Sequence, residues 1–432
     1  MQTAMSRRTL LKTGAQVALT AGAAGSLLAA CGENTSSASS KVTIKFWHTY
    51  NITSPENQTL QTKVIPAFNK KYPNITVQAQ DIPYNSMLQK LIASVAGGNG
   101  PDVVRSDIIW MPQLAKIHAL VQVDDLVNQH KDDFYPGPLA TCSYKEHYYG
   151  LPLDTNTKVV LYNQTLLEKA GVNQPPKTTD DFKNAALKIT SLGKNIFGYA
   201  EGGLYDWATL PWVWSFGGAV TDDQFTKATG YINSSNSVAS LEYLYNLYTT
   251  RALSPSILGS GNVSPDDAIG KNQAGFIIDG PWMPPTFQKT YPNMKYGMAL
   301  MPAGPNGQSS SVIGGEDIAI MSSSKNAEAA KSFAQFMISP QAQLLMASTG
   351  QMPVLKSVAS DPTLPAYFKI FSEQLQTAKP RTVHPNYPKI STILGDAFNK
   401  AFRKQATPQA PLPLRAIAFL GALSSSMVCW QQ

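Results

Sequence analysis

The sequence is poor in the residues that build disulfide frameworks and metal sites. Its 432 residues include three cysteines and five histidines, all widely scattered and without metal-ligand spacing such as CxxC. This scarcity excludes a disulfide-stapled scaffold and gives no indication of a metal or any other cofactor. The nucleophile elbow, the HExxH motif, the Walker loop and the GxGxxG fingerprint are missing as well, so no common catalytic motif is present.

Strong charge of either sign is also missing. The formal net charge is +7, and no long run of Lys or Arg occurs outside the N-terminal segment. Removal of residues 1–30 would lower the net charge by three, because that segment holds Arg7, Arg8 and Lys12 and no acidic residue. A net charge this small gives no reason to expect a nucleic-acid partner.

The apolar stretch near the N-terminus is too short to span a bilayer. It runs from Gly14 to Ala30 and is diluted by Gly and Ala, whereas a spanning helix needs about 20 strongly apolar residues. Basic residues precede it, and small residues that end in Cys31 close it. This order is typical of an export signal, so we expect residues 1–30 to be a signal peptide. A buried helix that ends in a core cysteine is the alternative.

Two short motifs refine this expectation. Ser6–Lys12, SRRTLLK, resembles the bacterial twin-arginine signal, and Leu28–Gly32, LAACG, resembles a lipobox. Cleavage at a lipobox leaves the cysteine, here Cys31, as the first residue with two acyl chains, which suffice for stable anchoring. Residues 31–40 are then a flexible tether. We expect an exported lipoprotein on the outer side of the cytoplasmic membrane.

Beyond the tether, the hydrophobic pattern alternates between strand and helix. Lys41–Trp47 and Ile75–Ile82 are predicted strands, apolar residues at helical spacing follow each, and a third strand begins at Pro101. This rhythm predicts an α/β fold with a largely parallel sheet and helices on both faces. Further along, Thr178–Asp181 predicts a helix start and Asp317–Met321 a late strand. The length supports two domains, each with its own core.

Several stretches, in order along the chain, together resemble one protein family. They are FWHTY (Phe46–Tyr50), FNKKYPNITV (Phe68–Val77), GGNGPDVV (Gly97–Val104), GLPLDTNTKVVLYN (Gly150–Asn163), SFGG (Ser215–Gly218), DGPW (Asp279–Trp282), GGEDIAI (Gly314–Ile320) and HPNYPKI (His384–Ile390). The chain resembles the extracellular solute-binding proteins of ABC importers, family 1, of the maltose/trehalose type. Each stretch is short, but their order and spacing are specific.

The resemblance implies a two-lobed, periplasmic-binding-protein-like α/β fold with a hinge and a ligand cleft between the lobes. One lobe would hold residues 41–154 and 315–360, and the other residues 158–311 and 364–405. An atypical tail at residues 406–432 would follow, because its prolines oppose the final helix that the family usually carries. Binding at the carboxyl ends of strands and closure by hinge motion are also expected on physical grounds.

The resemblance further implies a monomer that captures a neutral di- or oligosaccharide, such as a maltooligosaccharide, and delivers it to the transmembrane permease subunits of an ABC importer. It implies neither catalysis nor a cofactor. Polyols and glycerol-phosphate compounds remain alternative ligands, with Arg105 or Arg381 available to a phosphate. Two other functions stay open. One is a secreted glycoside hydrolase, whose two catalytic carboxylates would be Asp107 and Glu316. The other is a carbohydrate-binding lectin without a transporter.

A sugar site needs flat aromatic side chains for the ring faces and amides or carboxylates for the hydroxyl groups. Trp282 follows a buried strand and Gly-Pro, where the family's tryptophan commonly stacks on sugar. Trp110 lies just beyond the third strand, at the same kind of edge. Tyr205 and Trp207 fall where the family places ligand contacts, whereas Trp214 in the same segment is expected to be a core residue.

The polar candidates lie after strands or at the expected crossings between the lobes. They are Tyr50 and Asn51 after the first strand, Asp107 after the third, Asn156 at the first crossing, Glu316 at the second and Tyr387 at the start of the last helix. Asn51 and Asp107 would serve equally well as helix N-caps. Asn156 is also open to a turn role, and Glu316 to that of a solvated loop charge.

Replacement of Cys31 tests the anchoring hypothesis. Because the thiol is the acylation point, Cys31→Ser should release the protein from membranes or block its processing, as measured by fractionation and mass spectrometry. The matched control, Cys142→Ser, should leave processing and membrane partition unchanged. A Cys31→Ser variant that stays membrane-bound and is cut normally would show the lipobox interpretation to be wrong.

Overall fold

The computed structural model of the protein describes residues 41–223, 225–260 and 263–403. The expected signal peptide, the tether with Cys31 and the tail from residue 406 lie outside these residues, as does Cys429. Within the described ranges, no helix is both long and apolar enough to cross a membrane.

The strands of the described residues form two larger sheets and one two-stranded hairpin. In chain order they are β1 (Val42–His48), β2 (Ile75–Asp81), β3 (Val103–Asp107), β4 (Ser143–Tyr144), β5 (His147–Tyr148), β6 (Leu151–Asn156), β7 (Val159–Asn163), β8 (Phe197–Tyr199), β9 (Ala274–Asp279), β10 (Tyr296–Ala299), β11 (Val312–Ile320) and β12 (Lys379–Pro380).

Helices occupy most of the connections between these strands. They are α1 (Pro55–Thr59), α2 (Ile65–Lys71), α3 (Tyr84–Gly97), α4 (Met111–Lys116), α5 (Asp124–Asn128), α6 (Pro136–Thr141), α7 (Gln164–Lys169), α8 (Thr179–Thr190), α9 (Asp206–Ser215), α10 (Ser235–Thr249), α11 (Pro265–Gly270), α12 (Met283–Thr290), α13 (Ala327–Met337), α14 (Pro340–Ala347), α15 (Lys356–Ala359), α16 (Phe368–Leu375) and α17 (Tyr387–Phe402), with a π-helical turn at Leu60–Val64 and a 3₁₀ turn at Pro255–Leu258.

The first sheet has the order β12-β11-β3-β1-β2, and β6 pairs with β11. Strand β1 is parallel to β2, from the pair Val42 and Ile75 to the pair His48 and Asp81, and is parallel to β3. The predicted β-α-β-α-β start is therefore confirmed. The expectation of a largely parallel sheet was wrong beyond β3, because β11 returns antiparallel to both β3 and β6.

The second sheet has the order β10-β7-β9-β8, in which β8 and β9 are parallel and the other pairs antiparallel. The short connection between Asn156 and Val159 passes from the first sheet to the second. Each sheet has its own buried cluster of apolar side chains, with Phe46 in the first and Phe276 in the second. The lobe boundaries drawn from the sequence stay a prediction.

The helix start predicted at Thr178 is confirmed as the N-terminus of α8. The Thr178 hydroxyl accepts a hydrogen bond from the Asp181 backbone N–H at 3.1 Å, and the Asp181 carboxylate accepts one from the Thr178 N–H at 3.1 Å. This reciprocal pair satisfies two backbone donors that the first helical turn leaves free. The capped helix then buries Phe182 and Ile189 against the core of the second sheet.

Strand β11 is longer than the hydrophobic pattern predicts, beginning at Val312 and not at Asp317. Gly314 and Gly315 break the apolar alternation without breaking the strand. Gly315 has a φ of 143°, and a Cβ there would collide with the Asp154 backbone carbonyl. Only glycine fits this close approach of two strands.

The core position expected for Trp214 generates a stability prediction. Trp214 is 5% exposed on α9, within the core of the second sheet. Trp214→Ala should lower the free energy of unfolding by about 3–5 kcal/mol, because it leaves a large cavity. Urea denaturation measures this loss. The control Leu192→Ala, at a position that is 37% exposed, should change stability by about 0.5 kcal/mol or less. Equal losses for the two variants would contradict the core assignment.

Candidate ligand-binding site

A cavity of about 1190 Å³ opens at the carboxyl ends of β1, β3 and β9. Tyr50 and Asn51 follow β1, Asp107 ends β3, Trp207 belongs to α9, and Trp282 lies in the turn after β9. Ligands of α/β proteins bind at this edge of a sheet. The volume exceeds the range of about 300–1,000 Å³ that is typical of small-molecule sites.

Most of the predicted contact residues come together on this cavity. Eight of the ten line it: Tyr50, Asn51, Asp107, Asn156, Tyr205, Trp207, Trp282 and Glu316. Direct contact of these residues with a ligand stays a prediction.

Trp110 and Tyr387 do not line the cavity formed by the described residues. The Trp110 side chain is 4% exposed, and its ring centroid lies 4.9 Å from that of Tyr84. Tyr387 is fully buried and donates its hydroxyl hydrogen to the Asp206 carboxylate at 2.7 Å. Groups of the protein itself therefore occupy both side chains in this structure, and their direct contact with a ligand stays a prediction.

Three carboxylates stand side by side in the first sheet; Asp107 and Glu316 line the cavity, and Asp154 is buried outside its lining. In the strand register, Glu316 of β11 pairs with Asp107 of β3 on one side and with Asp154 of β6 on the other. Residues directly opposite in an antiparallel pair point to the same face, and like charges at such positions repel. The row is therefore stable only with cations beside it.

Arg105 is the first of these cations. Its Nη2 lies 2.6 Å from Glu316 Oε2 and 3.3 Å from Asp154 Oδ2, and its Nη1 donates to the Thr49 hydroxyl at 2.9 Å. The guanidinium also lies 4.1 Å from the Tyr50 ring centroid. Burial acts to lower the pKa of Arg105, but the carboxylates, led by Glu316, raise it above its ordinary value. The guanidinium therefore remains charged.

Arg381 is the second cation, and it joins the two sides of the cleft. Its Nη2 donates to Asp107 Oδ1 at 3.1 Å, and its Nη1 lies 3.9 Å from Asp206 Oδ2. The other Asp107 oxygen accepts from the Tyr84 hydroxyl at 2.7 Å. Because Asp107 belongs to the first sheet and Asp206 begins α9, Arg381 links the first sheet to α9.

Two tryptophans form a flat apolar wall. The rings of Trp207 and Trp282 lie 6.4 Å apart between centroids, with 25° between their planes. Two glycines make room for them, since a Cβ on Gly280 would collide with the Trp282 ring and one on Gly314 with the Trp207 ring. Trp282 lies at the N-terminus of α12, as its position after the buried strand predicts.

The alternative roles of three polar candidates are settled by their contacts. Ser54, and not Asn51, caps α1, while the Asn51 side chain accepts a hydrogen bond from the Thr53 N–H at 3.1 Å. Asn156 is a strand residue, and its buried Oδ1 has no hydrogen-bond partner among the described residues. Glu316 lies inside β11 and not in a solvated loop.

Sequence reasoning missed Asp279 and Asp206. Asp279 ends β9 as Asp107 ends β3, so an acidic residue after a buried strand was the available signal. Burial raises the pKa of Asp279 to about 6, while Lys158 acts in the opposite direction. Its Oδ1 accepts a hydrogen bond from the Gly280 N–H at 2.8 Å. No comparable signal marks Asp206, whose partners come from distant segments.

The chemistry of the lining is that of hydrogen bonding and stacking. Carboxylates, side-chain amides and hydroxyls line the cavity together with two indole rings. In the described part of the chain, no group of three or more His, Cys, Asp or Glu side chains is placed to hold a metal ion. Such a lining fits a ligand with many hydroxyl groups and flat apolar faces.

The two sheets and the cleft at their strand ends define a two-lobed α/β ligand-binding protein of the periplasmic type. Residues 52–344 match the bacterial extracellular solute-binding proteins, and the chain belongs to that family.

Similar proteins cover most of the chain. The maltooligosaccharide ABC transporter solute-binding lipoprotein of Streptococcus pneumoniae is 28% identical over 331 residues, which cover 73% of this chain and 74% of that protein. The arabinooligosaccharide-binding protein of Bacillus subtilis is 26% identical over 322 residues, 72% of each chain. The structure of maltose-bound T. maritima MalE3 superposes with a TM-score of 0.79 and a sequence identity of 25%. The match covers 88% of this chain and 99% of that one.

Removal of the Arg105 charge should destabilise the protein in a pH-dependent way. Arg105→Gln leaves Asp154 and Glu316 buried without their counter-charge, which costs about 3–5 kcal/mol at pH 7. Burial raises the pKa of Glu316 well above its ordinary value and Arg105 opposes this rise, so loss of the cation raises this pKa further in the folded state, and the stability lost above its unfolded-state pKa returns as the pH falls. Thermal melts from pH 7 to pH 4 should therefore show that the difference in stability between the variant and wild type becomes smaller as the pH falls.

The matched control for this prediction is Arg251→Gln. Arg251 is exposed and donates to the Lys194 carbonyl, without a carboxylate partner in the ion pairs of the described residues. Its replacement should change stability little at any pH. The role assigned to the Arg105 ion pairs would be refuted if the difference in stability between Arg105→Gln and wild type stays constant or increases toward pH 4.

Proposed function

We propose that this chain is an extracytoplasmic binding protein without catalytic activity, which captures a neutral oligosaccharide by lobe closure and delivers it to the permease subunits of an ABC importer. The observation that carries the proposal is the near-parallel pair Trp207 and Trp282, which lines a cavity of about 1190 Å³ together with carboxylate, amide and hydroxyl groups. Indole rings cover the apolar faces of sugars, while carboxylates and amides bind their hydroxyl groups. Relatives named for maltooligosaccharides and arabinooligosaccharides support this ligand class.

The proposal includes a membrane anchor and a hinge. Acylation at Cys31 is supported by the lipoprotein name of the S. pneumoniae relative. The lobes 41–154 plus 315–360 and 158–311 plus 364–405 are supported by the passage between sheets at Thr157, whose hydroxyl donates to the Val312 carbonyl at 2.8 Å. These crossing segments would bend when the lobes close around a ligand. We expect the protein to act as a monomer.

The charge of the lining supports a neutral ligand over a phosphate. The cavity is lined by six acidic residues and three basic ones: Glu56, Asp107, Asp206, Asp266, Asp279 and Glu316, against Arg105, Lys289 and Arg381. Both arginines already pair with carboxylates of the protein. A phosphate would therefore meet a net negative surface whose strongest cations are occupied.

A glycoside hydrolase is the alternative that one geometric observation favours. Asp107 and Glu316 are directly opposite in the sheet, which places their Cβ atoms about 4.5–5.5 Å apart, and retaining enzymes hold their two carboxyl groups about 5–5.5 Å apart. However, Asp107 accepts hydrogen bonds from Arg381, Tyr84 and the Ile109 N–H, and Glu316 pairs with Arg105. Both carboxylates are therefore engaged by groups of the protein itself, although burial raises the pKa of Glu316 well above its ordinary value, as a general acid requires.

Calorimetric titration with maltose, maltotriose, arabinotriose and galactobiose tests the proposal, and Trp282→Ala tests the site. Truncation of such an aromatic contact costs about 2–4 kcal/mol, so the affinity should fall roughly 30- to 1000-fold. Folding should suffer little, because the ring lines the cavity. The control is Trp47→Ala, which removes a partly buried tryptophan outside the lining and should keep the affinity of wild type.

Three outcomes would overturn the proposal. The first is an absence of binding for every sugar of the screen. The second is a folded Trp282→Ala variant with undiminished affinity, or one that binds no worse than Trp47→Ala. The third is the appearance of shortened products when a bound oligosaccharide is incubated with excess protein, which would favour the hydrolase.

A further inference from the structure

Exposed lysines gather at the amino ends of the parallel strands of the first sheet. They are Lys41 directly before β1, Lys70 and Lys71 in the last turn of α2, and Lys325 between β11 and α13. All four residues are exposed. We call these four residues the basic edge.

Backbone contacts bring the three segments of the basic edge together. The Val42 N–H donates to the Asn74 carbonyl at 2.8 Å, which joins the start of β1 to the turn after α2. The Asn326 side-chain amide donates to the Thr43 carbonyl at 3.3 Å, which joins the segment after β11 to the same strand. Because neighbouring strands lie only about 4.7–4.9 Å apart, the four lysines border one end of the sheet.

The basic edge carries charge that no ion pair of the described residues neutralises. Asp102 precedes β3 at the same end, but it is buried and accepts hydrogen bonds from the Lys45 N–H and the Ser324 hydroxyl. The exposed Glu328 pairs with Lys331 at 3.3 Å. The edge therefore keeps a net positive charge, which attracts an anionic surface.

The basic edge and the cavity lie at opposite ends of the first sheet. The cavity opens at the carboxyl ends of β1 and β3, and a strand of seven residues such as β1 is about 23 Å long. The expected tether, residues 31–40, joins the fold at Lys41, within the basic edge. A flexible chain of ten residues spans about 16–19 Å, so an anchor at Cys31 would keep this edge close to the bilayer.

We propose that the basic edge docks on the anionic phospholipid headgroups of the membrane that holds the lipid anchor, and so keeps the cavity pointing away from the bilayer. The proposal rests on the proposed function, because it needs the anchor at Cys31, and it adds a surface and an orientation. Lysine ammonium groups are attracted to such headgroups over about a Debye length, which is about 8–10 Å at physiological salt. The tether makes this weak contact intramolecular and so raises its effective concentration.

Amine acetylation read by mass spectrometry tests the proposal on the acylated mature protein, added to preformed vesicles. Vesicles of phosphatidylcholine alone are compared with vesicles that also contain phosphatidylglycerol. The lysines of the basic edge should react about threefold or more slowly on the anionic vesicles. Lys188, exposed in the last turn of α8, and Lys289, which lines the cavity, should react equally on both. Salt at about 1 M should remove the protection, because the Debye length falls to about 3 Å.

Paired substitutions test whether charge causes the protection. Lys70→Gln combined with Lys71→Gln removes two charges and leaves Lys41 and Lys325 as reporters, whose protection should fall about twofold or more. Lys70→Arg combined with Lys71→Arg keeps both charges and should keep the protection. Lys188→Gln removes a charge from the matched position of another helix and should change nothing. Thermal melts confirm that each variant is folded.

The outcomes separate the docking surface from the anchor. A protein that partitions into neither kind of vesicle lacks the anchor, and the orientation fails with it. Equal reactivity of the basic edge on both kinds of vesicle, in a protein that partitions into both, would refute the docking surface while the anchor stands. Protection of Lys188 or Lys289 as strong as that of the basic edge, or a paired glutamine variant that keeps its protection, would refute it too. None of these outcomes bears on sugar binding, which the titrations measure separately.

Discussion

The cleft depends on the neutralisation of three carboxylates by two buried arginines. The sheet register places Asp107, Glu316 and Asp154 in one row, and Arg105 and Arg381 occupy the positions that make such a row tolerable. Buried ions repay their desolvation only with close geometry and several hydrogen bonds. The two arginines therefore pair with the carboxylates of the row, while Arg105 Nε, Arg381 Nε and Asp154 Oδ1 have no hydrogen-bond partner among the described residues.

This arrangement combines buried charge with a cavity for which we propose a neutral ligand. Arg381 connects Asp107 of the first sheet to Asp206 of α9 and lies 5.3 Å from the Trp207 ring centroid. The cation thus orders both the polar floor and the aromatic wall. Among the lining groups, the indole faces, the unpaired Asn156 oxygen and Asp279 are available to the proposed ligand for stacking and hydrogen bonding.

The local rules of sequence determined much of the fold. Period-two alternation located β1 and β2, and the cap at Thr178 located the start of α8, because these features depend on neighbouring residues alone. Strand-end positions brought Tyr50 and Trp282 to the cavity, since strands of one sheet end at a common edge. The order of short motifs along the chain was enough to indicate the family.

Tertiary structure alone decided which of two similar tryptophans faces the cleft. Trp110 and Trp282 each follow a strand and begin a helix with Met and Pro, yet Tyr84 covers the first while the second lines the cavity. The partnership of Asp107 with Arg381 was equally hidden, because 274 positions separate them in the chain. A local pattern determines where a side chain leaves the backbone. What packs against it, or pairs with its charge, depends on segments that only the fold brings near.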